Sequence, residues 1–293
     1  MDINITDNSD IPHISHSALW VAYYRAMESK RKDALFHDPY AELLAGERGK
    51  QIVENTKGWK NGAWPMIVRT AVLDEFIMRT IVQDNIDTVI NLAAGLDTRP
   101  YRLDLPSSLR WIEVDLPDIL NYKEEKLAAA KPRCKVERMR IDLGDSDARR
   151  KLFGEINHDA ERAFVITEGL LIYLGREEVA GLARDLKAQE SFRWWTVDIA
   201  TPVLLGWLLN NSFRQFAEGD IQMKFAPEEG PGFFKQFGCK VAESRLVSKE
   251  SRRLKREMPG IWFYRLLAPL ASKKQRKFYS KLDSYFVLLN NKT

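Results

Sequence analysis

Cysteine is scarce: the 293 residues hold two, Cys134 and Cys239. They stand far apart in strand-like contexts, which excludes a disulfide framework and the paired spacing of a structural zinc site. A reducing, cytoplasmic setting is expected. Histidine is also rare, with four residues, and of His13, His16, His37 and His158 only the first two lie near each other, so no metal centre is expected. No stretch reaches the roughly 18 apolar residues of a membrane span. Met1 to His16 is polar, with Asp2, Asp7 and Asp10, and lacks the basic and apolar regions of a secretion signal. The third glycine of a G-x-G-x-x-G fingerprint is missing too, which counts against a nicotinamide-dependent oxidoreductase. Nor does one sign of charge dominate: 45 Lys and Arg face 41 Asp and Glu, a net +4. Nucleic acid is not an expected partner.

What is present is enough apolar content, 45% against 29% charged, to bury one sizeable α/β core. The chain is organised around Asp87 to Tyr101. Val89, Ile90 and Leu92 form an apolar run too brief for a helix, ending in Ala93-Ala94-Gly95, and so predict a buried strand entering a tight turn. Small residues there let the backbone approach a ligand, and Gly95 takes positive φ without strain. A second run, Arg110 to Asp115, ends in a carboxylate twenty positions after Gly95. Nucleotide-binding α/β folds place a ribose-holding acid at about that spacing. The alternative is that Asp115 only helps start the helix announced by Pro117 and Asp118.

Three segments carry a resemblance to a known family: Asn91-Leu-Ala-Ala-Gly-Leu-Asp-Thr-Arg99, Glu113-Val-Asp-Leu-Pro117 and Glu168-Gly-Leu-Leu-Ile-Tyr-Leu174. They resemble the leucine carboxyl methyltransferases, S-adenosylmethionine-dependent O-methyltransferases that include enzymes similar to the tetracenomycin polyketide carboxyl methyltransferase. The likeness runs from near Trp20 to about Thr201. It implies a Rossmann-like class I methyltransferase: a seven-stranded, mostly parallel sheet with helices on both faces, an N-terminal helical cap over 1–63, a cofactor core over 64–200, a helical lid over 201–225 and C-terminal strands with a basic helical insertion over 226–293. By the same resemblance Arg69 holds the cofactor's carboxylate, Ala93 and Gly95 form the turn beneath it, and Asp115 takes the ribose. Asp142 and Leu143 read the adenine, Glu168 meets the amino group, and Tyr173 faces the transferred methyl. Ala93 departs from the pattern, since many relatives have glycine there; a methyl is tolerated if φ is negative. For Asp142 the alternative is a cap on the helix from Asp145 to Phe153, and for Tyr173 a place in the core.

The remaining elements follow from periodicity. Helices are predicted over Ser17 to Ser29, from Asp38-Pro39 through Leu44 with Asp38 as cap, over Ile67 to Val82, Ile119 to Ala130, Arg176 to Lys187 and Pro227 to Phe237. Strands are predicted over Val136 to Ile141, Ala163 to Thr167, Phe192 to Ile199, Lys240 to Val247 and Tyr285 to Asn290. Val203 to Leu209, with Phe213, Phe216, Met223 and Phe225, reads as the lid. From Lys249 to Lys281, eleven basic residues face Glu250 and Glu257. Its two clusters, Arg252 to Arg256 and Lys273 to Lys281, flank exposed-looking aromatics, which suits either a solvated helical pair or contact with a membrane surface or other anionic partner.

A sulfonium methyl is already electrophilic, so such a protein has mainly to align the acceptor and exclude water. The strand-end motifs lack an obvious base, which favours a small-molecule carboxylate or acidic hydroxyl, as in polyketide or other secondary metabolism; His13 and His16 remain candidate bases. The alternatives are a protein C-terminal carboxylate as acceptor, or a module that binds the cofactor without transferring its methyl.

Overall fold

The computed structural model describes residues 16–56, 59–210, 222–267 and 272–292. His13, and Phe213 and Phe216 of the expected lid, lie outside them. Three helices come first, α1 (His16–Ser29), α2 (Ala41–Asn55) and α3 (Trp59–Gln83). Strands and helices then alternate: β1 (Thr88–Leu92), α4 (Arg99–Arg102), β2 (Arg110–Asp115), α5 (Pro117–Lys126), β3 (Lys135–Arg140), α6 (Ser146–Asp159), β4 (Ala163–Thr167), α7 (Arg176–Lys187) and β5 (Phe192–Ala200). After β5 come α8 (Pro202–Asn210), β6 (Lys240–Leu246), α9 (Val247–Arg253), α10 (Ile261–Leu267), α11 (Lys273–Ser280) and β7 (Ser284–Asn290).

The strands form one sheet in the order β3-β2-β1-β4-β5-β7-β6. Only β7 runs against its neighbours, β5 and β6. Central β1 and β4 are buried at every position, as a parallel strand covered on both faces must be. Alternate residues of the sheet serve two layers. Ile90, Leu92, Val165 and Val197 pack on α6, α7 and the 3-10 helix Gly230–Phe237. Val89, Trp111, Phe164 and Ile166 pack on α3, through Val72, Phe76 and Ile77. Strand order reverses between β1 and β4, so their carboxyl ends splay the connecting loops apart and leave the crevice in which such folds bind ligands.

Several boundaries differ from the sequence reading, each for a local reason. The helix after Pro39 does not stop at Leu44 but bends at Gly46, whose φ of 57° only glycine adopts cheaply, and continues to Asn55. Asp38 stands two residues before the N-cap, Tyr40, whose amide its Oδ1 accepts at 3.1 Å. Its carboxylate is buried, taking Arg25 Nε at 2.8 Å and the Thr98 hydroxyl at 2.6 Å, and the side-chain cap on α6 is Asp145, not Asp142. The Pro227 to Phe237 stretch, with glycine at 230 and 232, winds as a 3-10 helix rather than an α-helix. The first basic cluster is only partly solvated: Arg252, Arg253 and Lys255 are exposed. Arg256 is buried against a fully buried Glu28, Nη2 to Oε1 at 2.8 Å, and Arg253 pairs with Glu75 and Glu250. These contacts tie the C-terminal insertion to α1 and α3. Among the described residues, no helix is long and apolar enough to cross a membrane.

Candidate functional site

At the carboxyl end of β1 the chain turns through Ala93, φ 53°, and Gly95, φ 50°. The condition under which an alanine is tolerated there without strain, a negative φ, is therefore not met: the turn after the strand needs the left-handed conformation at both positions, and only one of them is glycine. An alanine so held costs about 1–2 kcal/mol, partly offset by the roughly 0.5–1 kcal/mol that glycine would lose in unfolded-chain entropy. Ala93→Gly should thus stabilise the protein by about 0.5–1 kcal/mol, and Ala93→Val, β-branched at positive φ, should destabilise it. Urea unfolding of the two variants checks both signs.

The Gly95 amide donates to Asp115 Oδ2 at 2.7 Å, across from the end of β2, and the Leu116 amide donates to Oδ1 at 2.8 Å. Burial pushes the Asp115 carboxyl above its ordinary value, and these two amides only partly oppose it. Asp115 is therefore a desolvated acceptor with lone pairs beyond the two it uses, suited to a pair of hydroxyl donors. It makes no cap on α5, whose N-cap is Leu116.

Beneath the β1 and β4 ends lies a network of buried charges. Arg69, from α3, donates Nε to Glu168 Oε1 at 2.9 Å and Nη1 to Asp198 Oδ2 at 3.2 Å. Arg99, 2% exposed, donates to Asp74 at 2.6 Å and, through Nη1, to Asp97 and Glu168 at 2.7 Å each. Arg102 donates twice to Asp74, at 2.7 and 2.9 Å. Burial pushes Glu168 up, but Arg99 and Arg69 outweigh it and hold the carboxyl below its ordinary range. Asp97 is held down in the same way, by Arg99 above all. Gly169, φ 64°, gives its amide to Asp198 Oδ1 at 2.7 Å. A Cβ there would stand 3.1 Å from Arg69 Nη1, so glycine lets the guanidinium sit flat beneath the turn.

The N-terminal helix closes over this edge. Arg25, buried in α1, donates Nη2 to the Leu96 carbonyl at 2.6 Å as well as pairing with Asp38. Ala18 lies near Gly95. Tyr173, in the 3-10 helix Leu171–Tyr173, is hydrogen-bonded to Ser17; burial raises its phenol, with nearby Arg69 opposing. On the next loop, Asp142 Oδ1 accepts the Gly144 amide at 2.8 Å, forming a tight turn, and the Leu143 carbonyl accepts from Arg149 at 2.7 Å.

A family model described as leucine carboxyl methyltransferase matches residues 18–187. The chain belongs to this family. A relative from Saccharopolyspora erythraea is 34% identical over 227 residues, spanning 73% of this chain and 78% of its own. Another, from Frankia alni, is 30% identical over 274 residues, 87% and 94% of the two chains. Both are named, by assignment, S-adenosyl-L-methionine-dependent methyltransferases. The crystal structure of a DUF574 family protein from Streptomyces avermitilis aligns with a TM-score of 0.59 over 94% of this chain and 97% of that one, at 15% identity. That likeness shows a common fold, the Rossmann-like class I methyltransferase sheet.

The methyltransferase family's cofactor is S-adenosylmethionine, and the residues at the crevice fit it. Its sulfonium and ammonium outweigh its carboxylate, leaving a net positive charge. The network sets three guanidiniums, Arg69, Arg99 and Arg102, against four carboxylates, Asp74, Asp97, Glu168 and Asp198, leaving a net negative one. Of these seven, the sequence reading of this methyltransferase singled out Arg69 and Glu168 but missed Asp74, Asp97, Arg99, Arg102 and Asp198. Asp97 and Arg99 lie inside the quoted motif. Asp198 sits inside a strand pattern, and nothing local distinguishes it.

Proposed function

We propose that this chain transfers the methyl group of S-adenosylmethionine to an oxygen of a small acceptor, a carboxylate or acidic hydroxyl. Bound, the cofactor supplies an electrophilic methyl that needs no metal activation. Asp115 accepts from the two ribose hydroxyls, and the Asp142–Leu143 loop takes the adenine edge. Arg69 exchanges part of its bonding with Asp198 for the amino-acid carboxylate, a bidentate match for its fork. Glu168 accepts from the ammonium. Tyr173 forms one wall beside the methyl and, with the start of α1, keeps water out.

The observation that carries the oxygen-acid reading is the state of the groups around the crevice. Glu168 and Asp97 are engaged with guanidiniums, and the Tyr173 phenol is held protonated by burial. Of the described histidine side chains, His37 and His158 are exposed and bond to none of these groups. Among the described residues, then, no free base stands ready at the network, and an acceptor already ionised at neutral pH requires none. The family's carboxyl chemistry points the same way, and an acid of polyketide or other secondary metabolism is the substrate class that the family likeness favours.

The test is incubation with methyl-labelled cofactor and a panel of small aromatic and aliphatic acids, phenols, and a peptide ending in a free leucine carboxylate. The expected product is a methyl ester of a small acid, which mild alkali hydrolyses to labelled methanol, or an alkali-stable ether of an acidic phenol. Labelling of the peptide alone would assign a protein terminus as acceptor. Tight cofactor binding with no labelled product across a broad panel would contradict transfer.

A further inference from the structure

The large apolar side chains that the core leaves uncovered concentrate on the helices following β5. Helix α8 has the composition of a core helix, Pro-Val-Leu-Leu-Gly-Trp-Leu-Leu-Asn, yet none of its residues is buried. Helix α10 exposes Trp262 by 69%, Phe263 by 54% and Leu266 by 70%, and α11 exposes Phe278 and Tyr279. An ordinary solvated helix does not carry this many large apolar groups in water.

The charges of the same segment divide into two sets. Arg253, Arg256 and Arg265 are neutralised, by Glu75 and Glu250, by Glu28 and Asp33, and by Glu257. Lys249, Arg252 and Lys255, on and just after α9, and Lys273, Lys274, Arg276 and Lys281, on and just after α11, are exposed, and no ion pair holds them among the described residues. Four of these seven unneutralised charges lie on or at the end of α11, beside Phe278 and Tyr279.

The Thr201 hydroxyl, at the start of α8, is bonded to the Lys281 and Asp283 carbonyls at 2.6 and 2.9 Å. That contact seats the start of α8 against the end of α11, at the carboxyl end of β5. Asp198, two residues before Ala200, lies on the same sheet edge.

We propose that α8, α10 and α11 form a surface that docks on an anionic lipid bilayer. Unpaired lysines and arginine meet the lipid phosphates, while Trp262, Phe263 and Phe278 enter the interfacial layer, where aromatic rings are best accommodated. Each basic residue near an anionic surface strengthens partitioning by about fivefold. The attraction falls steeply with salt. Docked this way, the bilayer lies on the edge of the sheet that carries the charged network.

The experiment is cosedimentation of the full chain with sucrose-loaded vesicles, either phosphatidylglycerol mixed with phosphatidylcholine or phosphatidylcholine alone, at low and high salt. Partitioning onto the anionic vesicles is expected at low salt, with little onto the zwitterionic ones. Removing two charges in K273Q/K274Q should weaken it by about 25-fold, and W262A/L266A by at least tenfold. Both variants change exposed residues, and unchanged circular dichroism and melting temperature verify their folding. Three results would overturn the proposal: no binding to anionic vesicles at low salt, equal binding to both lipids, or binding unchanged in both variants. Retention of single-stranded RNA, or concentration-dependent dimerisation that buries Trp262, without vesicle binding would overturn it as well.

Discussion

In the Asp115→Ala variant, affinity for S-adenosylhomocysteine falls about a thousandfold, on the order of 4 kcal/mol, as two hydrogen bonds to an ionised acceptor are lost. The Asp115 carboxylate accepts from the Gly95 and Leu116 amides and is desolvated. Its deletion leaves those two amides without an acceptor but also removes a charge that burial disfavours. The two effects oppose each other, so the loss of stability should be small beside the loss of affinity. Asp115→Asn keeps one acceptor oxygen and should lose only about ten- to thirtyfold. Isothermal titration of the three proteins measures the series. A loss below tenfold in the alanine variant would assign Asp115 to the β2 turn alone.

The second large effect concerns folding. Arg99 is 2% exposed and balances Asp74, Asp97 and Glu168 at once. Arg99→Met fills similar volume but leaves those acids without their shared cation, and should destabilise the protein by about 3–5 kcal/mol in urea unfolding at neutral pH. The pH dependence carries a sign. In the wild type, Glu168 and Asp97 lie below their ordinary values, so their contribution is fully present above the unfolded-state range near pH 4 and is lost as pH falls through the folded values. In the variant the same acids are buried without that partner and are easier to protonate. The stability gap between the two proteins should therefore be widest above about pH 5 and narrow as pH falls below about 4. A gap independent of pH would mean that Arg99 acts through packing and not through charge.

The sheet was largely legible because its buried strands are short apolar runs bounded by turn residues and its half-buried strands, β3 and β6, interleave apolar and polar residues; all seven appear where those patterns stand, to within a residue or two. The Gly95–Asp115 spacing was legible for a related reason: adjacent parallel strands bring their ends together, here as a direct amide-to-carboxylate bond. What local patterns missed was decided over long sequence separations. Asp38 before Pro39 has the form of a helix cap, and one oxygen does take the Tyr40 amide, but Arg25 and Thr98 claim the other. Arg256 reads as part of a solvated basic run, yet its partner is Glu28, 228 positions away. Asp198 looks like an ordinary polar residue of a strand until Arg69 and the Gly169 amide are seen on its two oxygens. The left-handed Ala93 was missed for a different reason, since alanine gives no signal of the conformation that a turn imposes on it.

In the binding mode proposed above, the surplus carboxylate of the seven-residue network, Asp74, Asp97, Glu168 and Asp198 against Arg69, Arg99 and Arg102, holds the sulfonium cofactor more tightly than the neutral thioether left after transfer, by an electrostatic difference that a desolvated setting enlarges. The most direct measurement is a crystal structure of the complex with S-adenosylhomocysteine. The ribose hydroxyls should lie within hydrogen-bond distance of Asp115, the adenine against the Asp142–Leu143 loop, and the amino-acid end between Arg69 and Glu168. A ligand seated away from Gly95 and Asp115, or one that leaves Arg69 and Glu168 untouched, would contradict the account.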